Sequence, residues 1–258
     1  MTPADSLQAL NGADPRGWAR WRHGWRLAVT ILAGTMLVAA VGFGVTESPV
    51  FHAKTIRIRG VDHLTRVDVL RLAGVDPGTN VLYLDTTQVA HQLEGDVWVA
   101  GATVVKDLPS TLVIDVHERV AVAVMAWGGR QVLVAEDGTP LGDAGPAVLL
   151  PSIGPPPGAS APSAADVRGA ARAIAALGPD VRPEVTHVSI LPDGTLLVRL
   201  TSGAVITWGT ADQLDAKATA LGALLRWAAK QGSHLTAADV HVPSNPTAQT
   251  APGPAPSA

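Results

Sequence analysis

The sequence predicts an α+β protein behind a single N-terminal transmembrane helix. Three observations carry that expectation. Leu27 to Thr46 contains no charged residue. Residues 51–119 alternate strand, helix, helix, strand, strand. Residues 120–243 then hold further short strands and two helices with capping signals, a mixed β-domain.

At 1.5 Å rise per residue, a helix over 27–46 spans about 30 Å, the thickness of a bilayer core. A cleaved signal peptide normally has an apolar region of only about 7–15 residues and a small-x-small cleavage site. This run is longer and exits through Glu47-Ser48-Pro49, so an uncleaved anchor is expected. Arg16, Arg20, Arg22 and Arg26 precede the run, and positive residues stay on the cytoplasmic side. Trp18, Trp21 and Trp25 recur on one face of a helix entering the interface. Lys54, Arg57 and Arg59 lie beyond the exit, yet the short N-terminal segment and the tryptophans favour residues 1–26 inside. The rest is expected outside the plasma membrane.

In the first exported block, Ile56-Arg57-Ile58-Arg59-Gly60 alternates apolar and polar, a half-buried strand. Thr65-x-x-Asp68 starts a helix expected to place Val67, Leu70 and Ala73 on one face, stopped by Gly74. Asp85-x-x-Gln88 opens a second helix with Val89 and Leu93, closed by Gly95. Strands 102–106 and 111–117 follow, with Leu112, Ile114 and Val116 sharing one face. The expected domain, 51–119, packs two helices on one face of a three-stranded sheet.

The second block, 120–243, has a strand at 132–135 entering the turn Glu136-Asp137-Gly138-Thr139. Pro151 to Pro162 reads as a surface connection. Ser163-x-x-Asp166 starts a helix carrying Val167, Ala171, Ile174 and Leu177. A meander at 185–191, 196–200 and 204–208 follows. Thr210-x-x-Gln213 is expected to open the last helix, with Leu214, Leu221, Leu224 and Leu225 inward. Asp239-Val240-His241-Val242 is a short final strand. The uncharged Pro/Ala/Ser/Thr run of 244–258 reads as a disordered tail.

Composition excludes several chemistries. With Cys 0 there is no disulfide, thiolate metal site or thiol nucleophile. A net charge of -3 gives no basic field for nucleic acid. The 8 histidines include no pair at i, i+4, and H-E-x-x-H is missing. No G-x-S-x-G, S-x-x-K or P-loop is written. His117-Glu118-Arg119 reads as a charged surface patch, and Asp115 with His117 as a solvated strand face. No catalytic residue, cofactor or metal is therefore expected, and the chain is read as non-enzymatic. An anchored module of this kind works through sheet edges, whose unpaired N–H and C=O groups accept a partner's strand.

The ordered set of segments resembles the FtsQ/DivIB family of bacterial cell-division proteins. Phe51 with Ile56–Gly60 is similar to the first strand of that family's POTRA domain. So are Trp98-Val99-Ala100-Gly101-Ala102-Thr103-Val104 and Leu108-Pro109-Ser110-Thr111-Leu112-x-Ile114-x-Val116-x-Glu118-Arg119 to its most recognisable stretch. Asp137-Gly138 with Leu150-Pro151 resembles the opening of its β-domain. Gly203…Gly209, Leu214-x-x-Lys217, the run to Leu225 and Asp239-Val240 resemble its last strand–helix–strand. Val97 stands where the family usually has Pro, and Lys106 where Arg is common. The resemblance implies a bitopic scaffold at the division septum that recruits FtsB-type and FtsL-type partners. The implied interface is Asp239, Val240, His241 and Val242, with Thr247, Ala248 and Gln249. Two other classes compete: a membrane-anchored cell-wall enzyme, its catalytic set hidden among His91, Asp115 and His117, and a POTRA-type polypeptide chaperone. The chaperone normally precedes a β-barrel, and no barrel-length run of strands follows here.

Overall fold

The computed structural model describes residues 25, 28–40, 49–146 and 148–252. The expected cytoplasmic segment, apart from Trp25, and residues 253–258 of the expected tail lie outside them. Among the described residues no helix is long and apolar enough to cross a membrane. The expected span 27–46 is described only over 28–40, which is helical and exposed throughout.

Spatial proximity divides the chain into two compact units, one of 1–57, 75–87 and 104–114, the other of 58–74, 88–103 and 115–258. In the first, backbone hydrogen bonds tie three loops together. Val81 N–H donates to the Phe51 carbonyl at 2.9 Å, Ala53 N–H to Thr79 at 2.8 Å, and Lys54 N–H to Ser110 at 2.9 Å. The Lys106 ammonium donates to the Leu82 carbonyl at 2.9 Å.

Strands β1 (Thr55–Arg59), β2 (Val99–Asp107) and β3 (Thr111–Glu118) form a three-stranded sheet in the order β1-β3-β2. Between β1 and β2 come α1 (Arg66–Ala73) and α2 (Thr86–Glu94), the element order expected from the sequence. Thr65 and Asp68 form the reciprocal capping box at the start of α1, and Gly74 closes it in the left-handed conformation. The buried face of α1 differs from expectation: Val69 and Ala73 are buried, whereas Val67 is exposed. Leu112, Ile114 and Val116 are buried as the alternation requires.

At the end of β3 the surface reading of 117–119 holds for His117, which is exposed, while Glu118 and Arg119 are half-buried. The Glu118 carboxylate accepts the backbone N–H groups of Asp62, His63 and Leu64 at 2.7–2.9 Å. Burial raises the pKa of this carboxyl, but the three donors outweigh it and the net shift is downward. Arg119 donates to the carbonyls of Val97 and Val99 and pairs with Asp137 at 2.8 Å. Arg168 Nε donates to the Asp137 carbonyl at 3.0 Å. The turn at Asp137-Gly138 is thus clamped by two arginines, and a Cβ on Gly138 (φ 82°) would press on the Arg168 backbone.

In the same unit a nine-stranded sheet runs β12-β11-β10-β9-β8-β7-β4-β5-β6. Its strands are β4 (Ala121–Trp127), β5 (Arg130–Ala135), β6 (Pro140–Asp143), β7 (Ser152–Gly154), β8 (Val185–Ile190), β9 (Leu196–Leu200), β10 (Val205–Gly209), β11 (Ser233–Asp239) and β12 (Thr247–Pro252). Helices α3 (Ala164–Ala176) and α4 (Leu214–Lys230) supply Val167, Ala171, Ile174 and Leu221 to a core shared with Val188, Ile206 and Trp208.

The expected surface connection at 151–162 is corrected at its start. Residues 152–154 form β7, parallel to both β4 and β8, with Ile153 buried. Proline and glycine on both sides hide this three-residue strand from periodicity. It joins the β4–β5–β6 part of the sheet to the β8–β12 part. The tail reading is corrected as well, because 247–252 form β12.

Replacing Ile153 by Ala is expected to cost about 2–5 kcal/mol, read as a lower urea midpoint, because it opens a cavity where the two parts meet. Glu118 and Asp137 are two of the carboxyls that contribute to acid sensitivity. For Asp137, burial raises the pKa, but hydrogen bonds from Arg119 and Thr139 and the Arg119 charge outweigh it, so the net shift is downward. A carboxyl lowered by folding contributes stability above its unfolded pKa of about 4 and loses it as pH falls through the folded value. Asp137→Asn is therefore expected to flatten the acid limb of a stability–pH curve.

Candidate partner-binding edge

An open sheet has two edges, and an edge exposes unpaired backbone groups unless something blunts it. Strand β6 is blunted: it is four residues long, starts with a proline, and carries the Arg130–Asp143 ion pair at 3.3 Å. Strand β12, Thr247-Ala-Gln-Thr-Ala-Pro252, has six residues, no charge, and a proline only at its last position. Thr247, Gln249 and Thr250 are exposed, while Ala248 packs on the core. Of the two edges, β12 is the one open to an added strand.

The structure redistributes the residues expected at the interface. Asp239 ends β11, which lies between β10 and β12: Thr207 faces Asp239 in the parallel pair, and Thr247 faces it in the antiparallel pair. Val240 is buried and its N–H donates to the Thr207 carbonyl at 3.0 Å. Residues 239–242 therefore do not form the edge strand expected of them. Thr247, Ala248 and Gln249 do lie on the edge, opposite Asp239, Ala238 and Ala237. Sequence reasoning missed Thr250, Ala251 and Pro252. The only signal there is the pair of β-branched threonines at 247 and 250, submerged in tail-like composition.

What fixes the approach to this edge is a lock between two loops. Lys217 on α4 is 0% exposed, and its ammonium donates to the Thr210 carbonyl at 2.9 Å and to Asp212 at 2.5 Å. The bonds from Lys217 and Thr210, then the Lys217 charge, hold the Asp212 carboxyl below its ordinary pKa. They also correct the expected Thr210 helix box. The helix instead begins at Leu214 after Gln213 in the left-handed conformation, with no side-chain cap. Just before this loop, Gly209 has φ 78°, and a Cβ there would collide with the imidazole of His241. His241 N–H in turn donates to the Asp239 carboxylate at 2.8 Å. The β11–β12 connection is seated on the β10–α4 loop.

Residues 51–119 match the family described as POTRA domain, FtsQ-type. The cell division protein FtsQ of Mycolicibacterium smegmatis is 34% identical over 203 residues, covering 78% of this chain and 58% of that protein. FtsQ of Mycobacterium tuberculosis H37Rv is 33% identical over 199 residues, covering 75% and 62%. The chain belongs to the FtsQ/DivIB family. It spans about three-fifths of the length of these FtsQ relatives, 58% of one and 62% of the other. The solved extracytoplasmic domain of the cell division protein DivIB from Geobacillus stearothermophilus aligns at 14% identity over 44% of this chain and 96% of that one, with a TM-score of 0.34.

Gly209→Ala is expected to destabilise the fold by about 1–3 kcal/mol, since it combines a disfavoured φ with the His241 collision. Adding His241→Ala should recover part of that loss in chemical denaturation, leaving the φ strain. Recovery of nothing would show that His241 does not seat on Gly209.

Proposed function

We propose that this FtsQ-type chain is a non-catalytic, single-pass division protein of the plasma membrane. Residues 1–26 lie in the cytoplasm, 27–46 span the bilayer, and the rest recruits partners outside it at the septum. The observation that carries the reading is the open, uncharged β12 edge. A partner's extended segment adds there as a tenth strand and gains main-chain hydrogen bonds, each worth a net of about 0.5–1.5 kcal/mol. The FtsB-type division protein is the expected occupant, with the FtsL-type protein joined through it. Thr247 and Gln249 are the exposed side chains at the seam, and Thr250 joins the set. Asp239, Val240, His241 and Val242 serve this interface from behind, by holding the turn that delivers β12.

The domain division that goes with this reading is an FtsQ-type POTRA domain at 51–119 and a β-domain from 120. The POTRA domain assists localisation. The continuous uncharged sequence of 27–46 and the exposed helix at 28–40 support the anchor.

The test is capture of the FtsB-type partner from detergent extract by the full chain, by the chain ended at Asn245, and by single proline variants at Ala248 and Gln249. Successive residues of a strand turn their N–H groups to opposite sides, so one proline removes an outward donor and the other a ladder donor. The shortened chain is expected to lose capture while its thermal unfolding stays cooperative. The outward proline should lose capture with little change in melting. Full capture by the chain ended at Asn245 would overturn the edge reading.

A further inference from the structure

We infer that one end of the unit formed by 1–57, 75–87 and 104–114 rests in the headgroup layer of the bilayer that anchors the chain. Val50, Tyr83 and Leu108 are the side chains dipping toward the acyl boundary. The inference rests on the anchored reading proposed above and adds a second, lipid-facing surface to it.

Three observations combine. The first is reach. Val50 follows Thr46, the last residue of the uncharged run, by four positions. At up to about 3.6 Å per residue, its backbone sits within about 14 Å of the core boundary however the linker runs. The headgroup layer itself occupies about 5–7 Å on each side. Whatever is fixed beside Val50 is held within reach of that layer.

The second observation is what is fixed there. Val81 and Phe51 share a backbone hydrogen bond, as do Ala53 and Thr79, and Lys54 and Ser110. Lys106 adds its bond to the Leu82 carbonyl. The start of β1, the 79–83 loop and the 108–110 turn therefore move as one piece. The third is the composition of that piece. Tyr83 is 57% exposed, Leu108 51% and Val50 50%. A tyrosine among aliphatic side chains suits a membrane interface, where the ring sits among headgroups and its hydroxyl stays wet.

Charge does not supply the attraction. Over 49–57, 75–87 and 104–114, Lys54, Arg57 and Lys106 are balanced in number by Asp76, Asp85 and Asp107, leaving no positive excess for anionic lipids. The contact is apolar, so lipid charge has little influence on it.

The chain has no cysteine, so single-cysteine variants report one position each. The full chain is placed in nanodiscs of zwitterionic lipid and, separately, of lipid one-third anionic. The rate of labelling by a membrane-impermeant maleimide is measured for Tyr83→Cys, Leu108→Cys, Met36→Cys and Trp127→Cys. Each rate is normalised to that of the unfolded chain in urea. Trp127, 61% exposed at a hairpin end, is the aqueous reference. A thiol in the interface is shielded and its pKa rises, and one unit of rise removes about tenfold of the reactive thiolate. Labelling at 83 and 108 is expected on the order of tenfold slower than at 127, alike in both lipids. Slow labelling at 36 with reference-like labelling at 83 and 108 overturns this inference and leaves the anchor standing. Rapid labelling at 36 overturns the anchor and, with it, the lipid contact. Protection at 83 and 108 confined to anionic discs overturns the apolar origin of the contact.

Discussion

The parallel pairing of β11 on β10 decides where the sheet ends, and with it which backbone groups are free to bind. Val205, Ile206 and Thr207 lie opposite Ala237, Ala238 and Asp239. Parallel neighbours need a crossover, and α4 is that crossover, packed along β11 and buried through Leu221 and Ala228. Once β11 is enclosed on that side, its other side takes β12 in antiparallel register. The six residues of β12 then present their outer side to solvent. A hairpin in place of the crossover would have left a different strand outermost.

Several charged groups of this unit hold loops in place. Lys217 is the clearest case. A fully buried ammonium costs several kcal/mol in desolvation unless its donors are satisfied, and here Thr210 and Asp212 satisfy it at the base of the loop that receives His241. Glu118 gathers three backbone N–H groups, and Arg119 gathers two carbonyls and a carboxylate. Both sit at the end of β3, where the sequence shows only a run of charge. In each case one side chain replaces the regular ladder that an irregular segment lacks.

Local rules made parts of this chain readable. The capping boxes at Thr65–Asp68 and Ser163–Asp166 formed as their spacing requires, because they depend on residues three apart. The meander over 185–209 was equally legible, since period-two alternation reports a strand with one buried face. Residues 152–154 were not. Three residues are too few to show a period, and the pairing that makes them a strand comes from β4 and β8, 28 and 35 positions away in register. Val67 was misplaced for a related reason, because in an eight-residue helix several helical faces carry similar apolar content and packing chooses among them.

The amino-acid sequence by itself determined the uncharged N-terminal run, the element order of 51–119, the absence of thiol chemistry, and the helix starts at 65 and 163. Each depends on neighbours within a turn or on composition alone. The tertiary structure decided that 239–242 would be enclosed and 247–252 outermost. An edge is a property of what is missing alongside a strand, and no residue encodes its own lack of a neighbour.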